Sequence, residues 1–576
     1  MPRPLFAGPR AASFLRRAAT PICLAALAPL AFAEGAAAPV PDAGSLLQQL
    51  QPQSLPQPPA SVELPALGIE RAPVSHKAGG PRFDVKGFRI DGLPADRAAA
   101  LQPLLAKGIG ANRTLADLED AAKDLEVELQ REGLFLAQVC VPAQSVEGGV
   151  VTLQVYEGRI GELTLQVDPG VRVSRDFLEQ VVAPLRGHPV IERGLVERVL
   201  LTLGDLRGIA ATSSLAPGHE IGTADLAIHV EARKNDGVEA EFDNAGSAFT
   251  GRPRYYGNLD WFNLADRGDD LSLRTQFSNG SQYFHLGWLT PVDAQGDRVG
   301  VQSSYLVYHL GTSLFYPLDA EGDASTWGVM ALHPAIRSRN ANLFLQATLE
   351  TRYFEDKVNA VDIDDKKGVT VYASFGATGD FRDTWGGGGI SNYSTQLVLG
   401  HLSLDTPSEA VLDAQTYRSA GNYAKLLVTG TRLQQLGKHD ALYVSGQMQL
   451  ASKNLDSSEK FNGGGLYGLR GYPSPEAPSD EALVGTVEWR RPFTLAQVPG
   501  DFVFSAFGDY GLLRQHTTPQ PSDSDNTRRL FDHGFALTRT DDAGLLLRLT
   551  VALRGPTPAQ SDDQHTRILF QASKAF

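Results

Sequence analysis

The chain has 576 residues, including 58 glycines, 35 prolines and two cysteines, and its formal net charge is −14. That length allows several domains, and the acidity argues against a nucleic-acid binder, which needs a basic face. No run of about 18 apolar residues occurs, which argues against a helical membrane protein. A transmembrane β-barrel escapes this test because its lipid-facing residues alternate with polar ones.

The N-terminus has the pattern of a secretory signal. Four arginines and no acidic residue precede the apolar stretch: Arg3, Arg10, Arg16 and Arg17. That stretch covers residues 18–33 and ends in the A-x-A tripeptide Ala31-Phe32-Ala33. We therefore predict a signal peptide over residues 1–33, with a short buried helix as the alternative. Its removal takes the net charge from −14 to about −18.

Residues 34–80 are rich in proline, alanine and glutamine, a composition that cannot bury a core and is typical of a linker. One short piece differs, because a leucine pattern follows Asp42 and predicts a two-turn helix that starts near Ser45. The alternative is a fraying turn. The predicted helix contains Ser45, Leu46, Leu47, Gln48, Gln49 and Leu50.

A mixed α and β pattern that occurs twice fills residues 81–234. In the first copy, residues 83–88 alternate like a strand, and Thr114 with Asp117 forms a capping-box start for a helix. We predict two further strands at 134–141 and 150–155. One helical face is predicted to hold Leu115, Leu118, Ala122, Leu125 and Leu129.

The predicted order of the first copy is strand, helix, helix, strand, strand, and the second copy repeats it. It has a strand at 163–167, helices at 174–185 and 191–201, and strands at 209–215 and 226–230. We therefore predict two βααββ domains, at 81–158 and 159–234.

From residue 235 to the end, short alternating segments replace the helical period. Leu545, Leu547 and Leu549 oppose Arg548 and Thr550, for example. Such strands fit a soluble sandwich or a membrane barrel. Charged and amide groups on successive polar faces, and an alternating last strand ending in Phe576, favour the barrel. A domain of this length predicts about 16 or 17 strands, with an even number expected.

Two motifs in this region carry a family resemblance. Residues 461–472 read FNGGGLYGLRGY, and residues 507–511 read FGDYG. Together they resemble the R-G-Y and F-x-D-x-G motifs of the two-partner secretion transporters, the TpsB proteins of the BamA-like superfamily. Leu469 stands where that family usually has valine. The resemblance covers nearly the whole mature chain, because the paired βααββ units also resemble POTRA domains.

The resemblance implies a transmembrane β-barrel of about 16 antiparallel strands, preceded by two periplasmic POTRA domains. It also implies that loop 6, around residues 461–480, folds into the lumen, while the helix at 45–50 acts as a plug. The tip of loop 6 would be Leu469, Arg470, Gly471 and Tyr472, and the partner strand would carry Phe507, Asp509 and Gly511. Gly463, Gly464 and Gly465 would give the loop backbone its freedom.

Strand parity supports the implied contact independently. If Phe502 and Phe504 face lipid, Asp509 faces the lumen, where a guanidinium such as that of Arg470 can bind it in bidentate fashion. The alternatives are a solvated arginine on an exposed loop and an aspartate at a strand end.

The expected function is an outer-membrane translocation pore that recognises an unfolded exoprotein through its POTRA domains and secretes it. An insertase of the same superfamily is the alternative; a porin would need no periplasmic domains. The sequence has no G-x-x-x-x-G-K-[ST], G-x-S-x-G or H-E-x-x-H motif, so we expect no enzyme, catalytic residue, metal or cofactor. The expected partners are the exoprotein and outer-membrane lipid, not nucleic acid, and the barrel is expected to be monomeric.

Overall fold

The computed structural model describes residues 41–50, 82–186, 192–220, 222–234, 236–311, 319–361, 363–521, 523 and 525–576. The predicted signal peptide and most of the predicted linker lie outside the described residues. Helix α1 (Ala43–Leu50) is the described part of the N-terminal segment. Among the described helices, none is long and apolar enough to cross a membrane.

The first unit of the N-terminal region begins at residue 83. Its elements are β1 (Phe83–Val85), β2 (Gly87–Asp91), α2 (Ala95–Leu101), β3 (Gly110–Arg113), α3 (Leu115–Arg131), β4 (Gln138–Cys140) and β5 (Val150–Tyr156). A three-stranded sheet has the order β2-β5-β4, with β2 parallel and β4 antiparallel to β5. The short strands β1 and β3 pair separately.

Helix α3 begins with the predicted capping box. Thr114 Oγ1 accepts a hydrogen bond from the Asp117 amide, and the Asp117 carboxylate accepts one from the Thr114 amide at 2.7 Å. The Thr114 hydroxyl also donates to the Asp117 carboxylate, at 2.8 Å. The bond from the Thr114 backbone amide, and after it the bond from the Thr114 hydroxyl, lower the pKa of the Asp117 carboxyl. The four later residues of the predicted apolar face are buried, but Leu115 is 46% exposed. Leu115 is the first helical residue, so its side chain lies beyond the edge of the core.

The strand predicted at 134–141 is wrong in its first half. Residues 134–137 form a buried turn, in which the Leu134 amide bonds the Leu129 carbonyl and the Ala137 amide bonds the Leu134 carbonyl. A run of four apolar residues fits a buried turn beneath the core as well as it fits a buried strand, so the sequence pattern does not distinguish the two. The strand itself is limited to β4.

The second unit repeats the topology of the first. Its elements are β6 (Arg159–Val167), α4 (Arg175–Val182), α5 (Arg193–Gly204), β7 (Ile209–Pro217) and β8 (Thr223–Ala232). The sheet order is β6-β8-β7, with β6 parallel and β7 antiparallel to the central strand. The repeated order is the one that the duplicated pattern predicts.

The C-terminal region is a closed barrel of sixteen antiparallel strands, as predicted. The strands are β9 (Asp236–Asp243), β10 (Arg254–Phe262), β11 (Asp270–Phe277), β12 (Ser281–Pro291), β13 (Arg298–His309), β14 (Ala320–Arg337), β15 (Ala341–Val358), β16 (Ile363–Asp383), β17 (Gly389–Leu404), β18 (Gly421–Gln435), β19 (Ala441–Ala451), β20 (Glu481–Leu495), β21 (Val498–Arg514), β22 (Thr527–Thr540), β23 (Leu545–Arg554) and β24 (Thr566–Ala575). Helix α6 (Pro407–Gln415) lies between β17 and β18.

The two faces of the barrel wall differ in chemistry. Large apolar side chains are exposed on the outside, among them Phe284, Val301, Trp327, Leu349, Phe375, Phe535 and Leu549. Buried polar side chains line the inside, among them Ser304, Thr326, Arg352, Ser374, Gln449, Asp509 and Thr550. An apolar outer face and a polar lumen are what a lipid bilayer demands of a barrel.

The second unit is bound to the end of the barrel at which β9 begins. Arg337, at the end of β14, donates to both carboxylate oxygens of Asp205, at 2.7 and 3.0 Å. The side-chain amide nitrogen of Asn263, Nδ2, donates to the Arg207 backbone carbonyl at 2.6 Å. Burial raises the pKa of the Asp205 carboxyl, against the opposing effect of Arg337. These contacts hold the unit against this end of the barrel.

Candidate functional site in the barrel lumen

The connection between β19 and β20, residues 452–480, turns back into the barrel. Its base is closed where the amides of Phe461 and Ser479 each donate to the other's carbonyl, at 2.8 and 2.9 Å. Residues 461–480 are the predicted loop 6, and residues 452–460 form its stem. A Cβ on Gly464 would lie 1.8 Å from the Pro473 carbonyl oxygen, and Gly465 has a φ of 98°. Only glycine fits this tight turn.

Arg470, at the tip of loop 6, lies against the barrel wall beside Asp509. Its Nε and Nη2 donate to the two carboxylate oxygens of Asp509, each at 2.9 Å. Its guanidinium carbon is 3.3 Å from the centre of the Phe507 ring. Asp509 also accepts from Thr486 Oγ1 at 2.8 Å. The bidentate geometry fixes the orientation of Arg470 and its distance from the wall.

Sequence reasoning missed Glu488, the second carboxylate that binds Arg470. Arg470 Nη1 donates to Glu488 Oε2 at 2.8 Å, and Arg490 donates to the other oxygen of Glu488 at the same distance. Arg548 lies 3.6 Å away. Glu488 has luminal parity on β20, but no motif marks it, so parity was the one available signal.

The other tip residues are packed on the wall. Leu469 and Tyr472 are fully buried, and a Cβ on Gly511 would lie 2.7 Å from a methyl group of Leu469. The Tyr472 hydroxyl donates to the Thr557 carbonyl at 3.1 Å. Gly511 is therefore the residue of the partner strand that admits Leu469, whereas Asp509 binds the charge.

Helix α1 lies inside the barrel, beside loop 6. Ala43, Leu46 and Leu47 are buried among luminal aromatic and aliphatic side chains, and the Ala43 amide donates to Asp356 at 2.7 Å. A Cβ on Gly44 would lie 2.6 Å from Ser458 Cβ, so the helix touches the stem of loop 6 directly. Ser45 is mostly buried, and Leu50 packs at the edge of the same cluster.

Two glutamines of α1 bind loop 6 itself. Asn462 Nδ2 donates to Gln48 Oε1 at 2.8 Å, and Ser474 Oγ donates to Gln49 Oε1 at 3.2 Å. The helix and the loop therefore share an interface within the lumen, and each contacts the wall independently.

Asp42 binds the start of α1 to both the wall and the stem of loop 6. Lys367 Nζ donates to Asp42 at 2.8 Å and to Asp456 at 3.1 Å, and the Ser457 hydroxyl also donates to Asp42. Burial alone would raise the pKa of the Asp42 carboxyl. Lys367 and Ser457 have the opposite and larger effect, so the pKa is lowered to about 2. Asp42 is thus ionised when α1 is seated.

A second ionic cluster at the stem was also missed by sequence reasoning. Glu459 accepts from Arg352 at 3.0 Å and lies 2.8 Å from Lys425 Nζ. Neither cation stands in a motif, and both are more than 30 residues away in sequence. Among the described residues, no group of three or more histidine, cysteine or acidic side chains is placed to hold a metal ion.

A closed lipid-facing barrel with βααββ units at one end and a loop folded into its lumen defines a transporter of the outer membrane. The ShlB-type POTRA domain matches residues 83–158. The family described as haemolysin secretion/activation protein ShlB/FhaC/HecB matches residues 222–524, more than half of the chain. The protein belongs to this family, the outer-membrane transporters of two-partner secretion, and its POTRA region lies in the periplasm.

Similar proteins cover most of the chain. The heme/hemopexin transporter protein HuxB of Haemophilus influenzae is 26% identical, over 91% of this chain and 93% of its own. The outer membrane transporter CdiB of Dickeya dadantii is 20% identical, over 76% of this chain and 77% of its own. The structure of CdiB from Escherichia coli has a TM-score of 0.69 at 19% identity and covers 92% of this chain and 98% of that one.

Proposed function

We propose that this protein secretes an unfolded exoprotein through its barrel, and that α1 and loop 6 are two removable plugs which close the barrel at rest. The observation that carries this proposal is the seating of both elements in the lumen by side-chain contacts. Each is attached to the wall in part through polar groups that water or a passing chain can replace.

The periplasmic units supply the receptor. Each has a three-stranded sheet, and an extended exoprotein segment can add to the edge of such a sheet through main-chain hydrogen bonds. The second βααββ unit, residues 159–234, acts as a second POTRA domain at the entrance of the lumen. The cargo is an adhesin, a haemolysin or a contact-dependent inhibition toxin, and no catalytic step is needed.

Lipid surrounds the outer face, and one barrel works alone. The alternative, an insertase that folds other barrels, would use the same architecture but would leave membrane proteins, rather than a secreted protein, as the product.

The test is deletion of the gene in its host, followed by fractionation of the culture. We expect a large exoprotein to disappear from the medium and to be degraded or retained in the periplasm, while outer-membrane porins remain at normal levels. Normal export would refute secretion. Loss of porins with normal export would instead establish the insertase.

A further inference from the structure

The wall of the barrel has a groove where α1 lies. At the end far from the second unit, β14 turns three small residues toward the lumen: Ala320, Gly322 and Ala324. Tyr308 on β13 and Phe354 on β15 stand on either side of them in the register. Helix α1 packs against these three strands and against the stem of loop 6. The small side chains of β14 therefore leave room for the helix.

Charged groups on the wall bind the first turn of α1. Asp356, on β15, accepts hydrogen bonds from the Ala43 amide at 2.7 Å and from the Tyr308 hydroxyl at 2.6 Å. A carboxylate at this position satisfies a free amide at the start of the helix and interacts favourably with the helix dipole. Lys367 donates to the Asp42 carboxylate at 2.8 Å. The groove thus recognises one acidic side chain and one main-chain amide.

The leucines of α1 fill the apolar part of the groove. Leu46 and Leu47 are 3% and 2% exposed, and the cluster around them includes the rings of Tyr308, Phe354 and Tyr372. Departure of α1, as proposed above, would place these rings in water. Because exposure of apolar surface is unfavourable, the empty groove favours a chain that offers apolar side chains of similar size.

A cavity of about 320 Å³ extends from this groove along the wall. Tyr283 and Tyr372 line the cavity and also belong to the apolar cluster of the groove. Met330 and Leu332 line it farther along β14, closer to Arg337, which binds the second unit. All the lining residues lie on strands β12 to β17. A chain that enters from the periplasmic end can therefore follow this wall to the groove.

We propose that the groove is a binding site for the exoprotein, and that α1 occupies it as an internal ligand until the exoprotein displaces it. The site takes a segment in which an acidic residue is followed, four and five positions later, by two aliphatic residues, as Asp42 is followed by Leu46 and Leu47. An isolated helix this short is unstable in water, so the segment becomes helical only in the groove. The inference rests on the proposed function, because the groove is free only when α1 has left it.

The first test uses the full mature chain carrying L46A/L47A, whose own α1 no longer fills the groove. We expect raised conductance in planar lipid bilayers, and a synthetic peptide of residues 41–50 should block it. L46A/L47A in the peptide should raise the half-blocking concentration about a hundredfold, about tenfold for each leucine. Asp42→Asn in the peptide should raise it about tenfold, as for loss of one charged hydrogen bond. L46M/L47M keeps the apolar volume and should stay within about tenfold of the original.

A substitution in the wall tests the groove itself. Ala324→Leu, added to the same chain, fills the floor of the groove and should raise the half-blocking concentration at least about tenfold. Ser325→Leu is the matched control, because the next residue of β14 faces away from the lumen. Fluorescence anisotropy of labelled peptides measures the same ranking in detergent, independently of conductance. Equal binding of all the peptides, or binding of the original peptide alone, would overturn the inference.

The second test asks whether the exoprotein reaches the groove in the host. The photo-crosslinking amino acid benzoylphenylalanine replaces Phe354, and we expect it to crosslink during export to an exoprotein segment with the acidic and aliphatic pattern. Phe375, 56% exposed on the outer face, is the control position and should give no such crosslink. Crosslinks to residues 41–50 alone in cells that export normally would refute the site. Export by the wild-type protein is measured in the same host, so failure of secretion itself is distinguished from failure of this site.

Discussion

The second periplasmic unit and the filled lumen of the barrel are both held together by buried contacts, but the chemistry of those contacts differs. The second unit is held by an apolar cluster that includes Leu178, Val182 and Leu203, all fully buried. The lumen is closed by charged and amide contacts as well as by apolar ones: Arg470 binds Asp509 and Lys367 binds Asp42, beside the buried side chains of Leu46 and Leu469. Apolar packing is lost as a whole on unfolding, whereas ionic contacts can be exchanged one at a time for water or other partners. The second unit therefore has a core that persists, whereas α1 and loop 6 are held in the lumen in part by contacts that can be broken singly.

The largest effect that would break this comparison concerns Arg470. Arg470→Ala leaves Asp509 without its cation, while Glu488 keeps Arg490. Loss of one member of a buried ion pair costs about 3–5 kcal/mol. We expect loop 6 to undock, bilayer conductance to rise and export to fall, with the barrel still inserted. Arg491→Ala, at a side chain 54% exposed, is the control. Unchanged conductance and export in Arg470→Ala would mean that the loop is held by its apolar residues.

The corresponding test in the periplasmic region is a substitution in the apolar core of the second unit. Leu178→Ala creates a cavity in the second unit and should lower its free energy of unfolding by about 2–5 kcal/mol. We expect chemical denaturation to unfold this unit earlier while channel conductance stays at the wild-type level. Val127→Ala, at a side chain 54% exposed, should do neither. A conductance change in Leu178→Ala would show that the unit regulates the lumen, which would contradict the separation drawn above.

A smaller effect is expected at the seat of α1. Lys367→Met removes the cation shared by Asp42 and Asp456, worth about 1.5–3 kcal/mol for a charged hydrogen bond. Loss of the helix from the lumen should raise conductance, measured against Lys366→Met. Lys366, the next residue, has a side chain that is 52% exposed and forms surface ion pairs only. Equal conductance in the two variants would show that the leucines of α1 alone keep it in place.

The smallest effect is at the capping box of α3. Thr114→Ala removes the side-chain acceptor for the Asp117 amide and should lower the stability of the first unit by about 1 kcal/mol. The midpoint of denaturant unfolding measures this change, and Thr114→Ser should restore it. Failure of serine to restore stability would assign the loss to the threonine methyl group instead of the cap.

The sequence predicts best those structural features that depend on residues close together in the chain. The capping box of Thr114 and Asp117, the strand alternation and the R-G-Y tip are all read within a few residues. Leu115 was placed in the core because periodicity gives a direction without saying where the core ends. Glu488 and Lys367 were missed because their partners are assembled by barrel closure, and Lys367 and Asp42 are 325 residues apart.

The glutamines that join α1 to loop 6 couple the seating of the two elements in the lumen. Because Gln48 and Gln49 bond Asn462 and Ser474, removal of either element weakens the hold on the other. Coupling between two elements is reciprocal. It therefore disfavours barrels from which only one of the two elements has left. If both elements leave during secretion, as proposed, the opening of the barrel is expected to be cooperative. Under the proposed function, such coupling limits leakage through the barrel between cargo molecules.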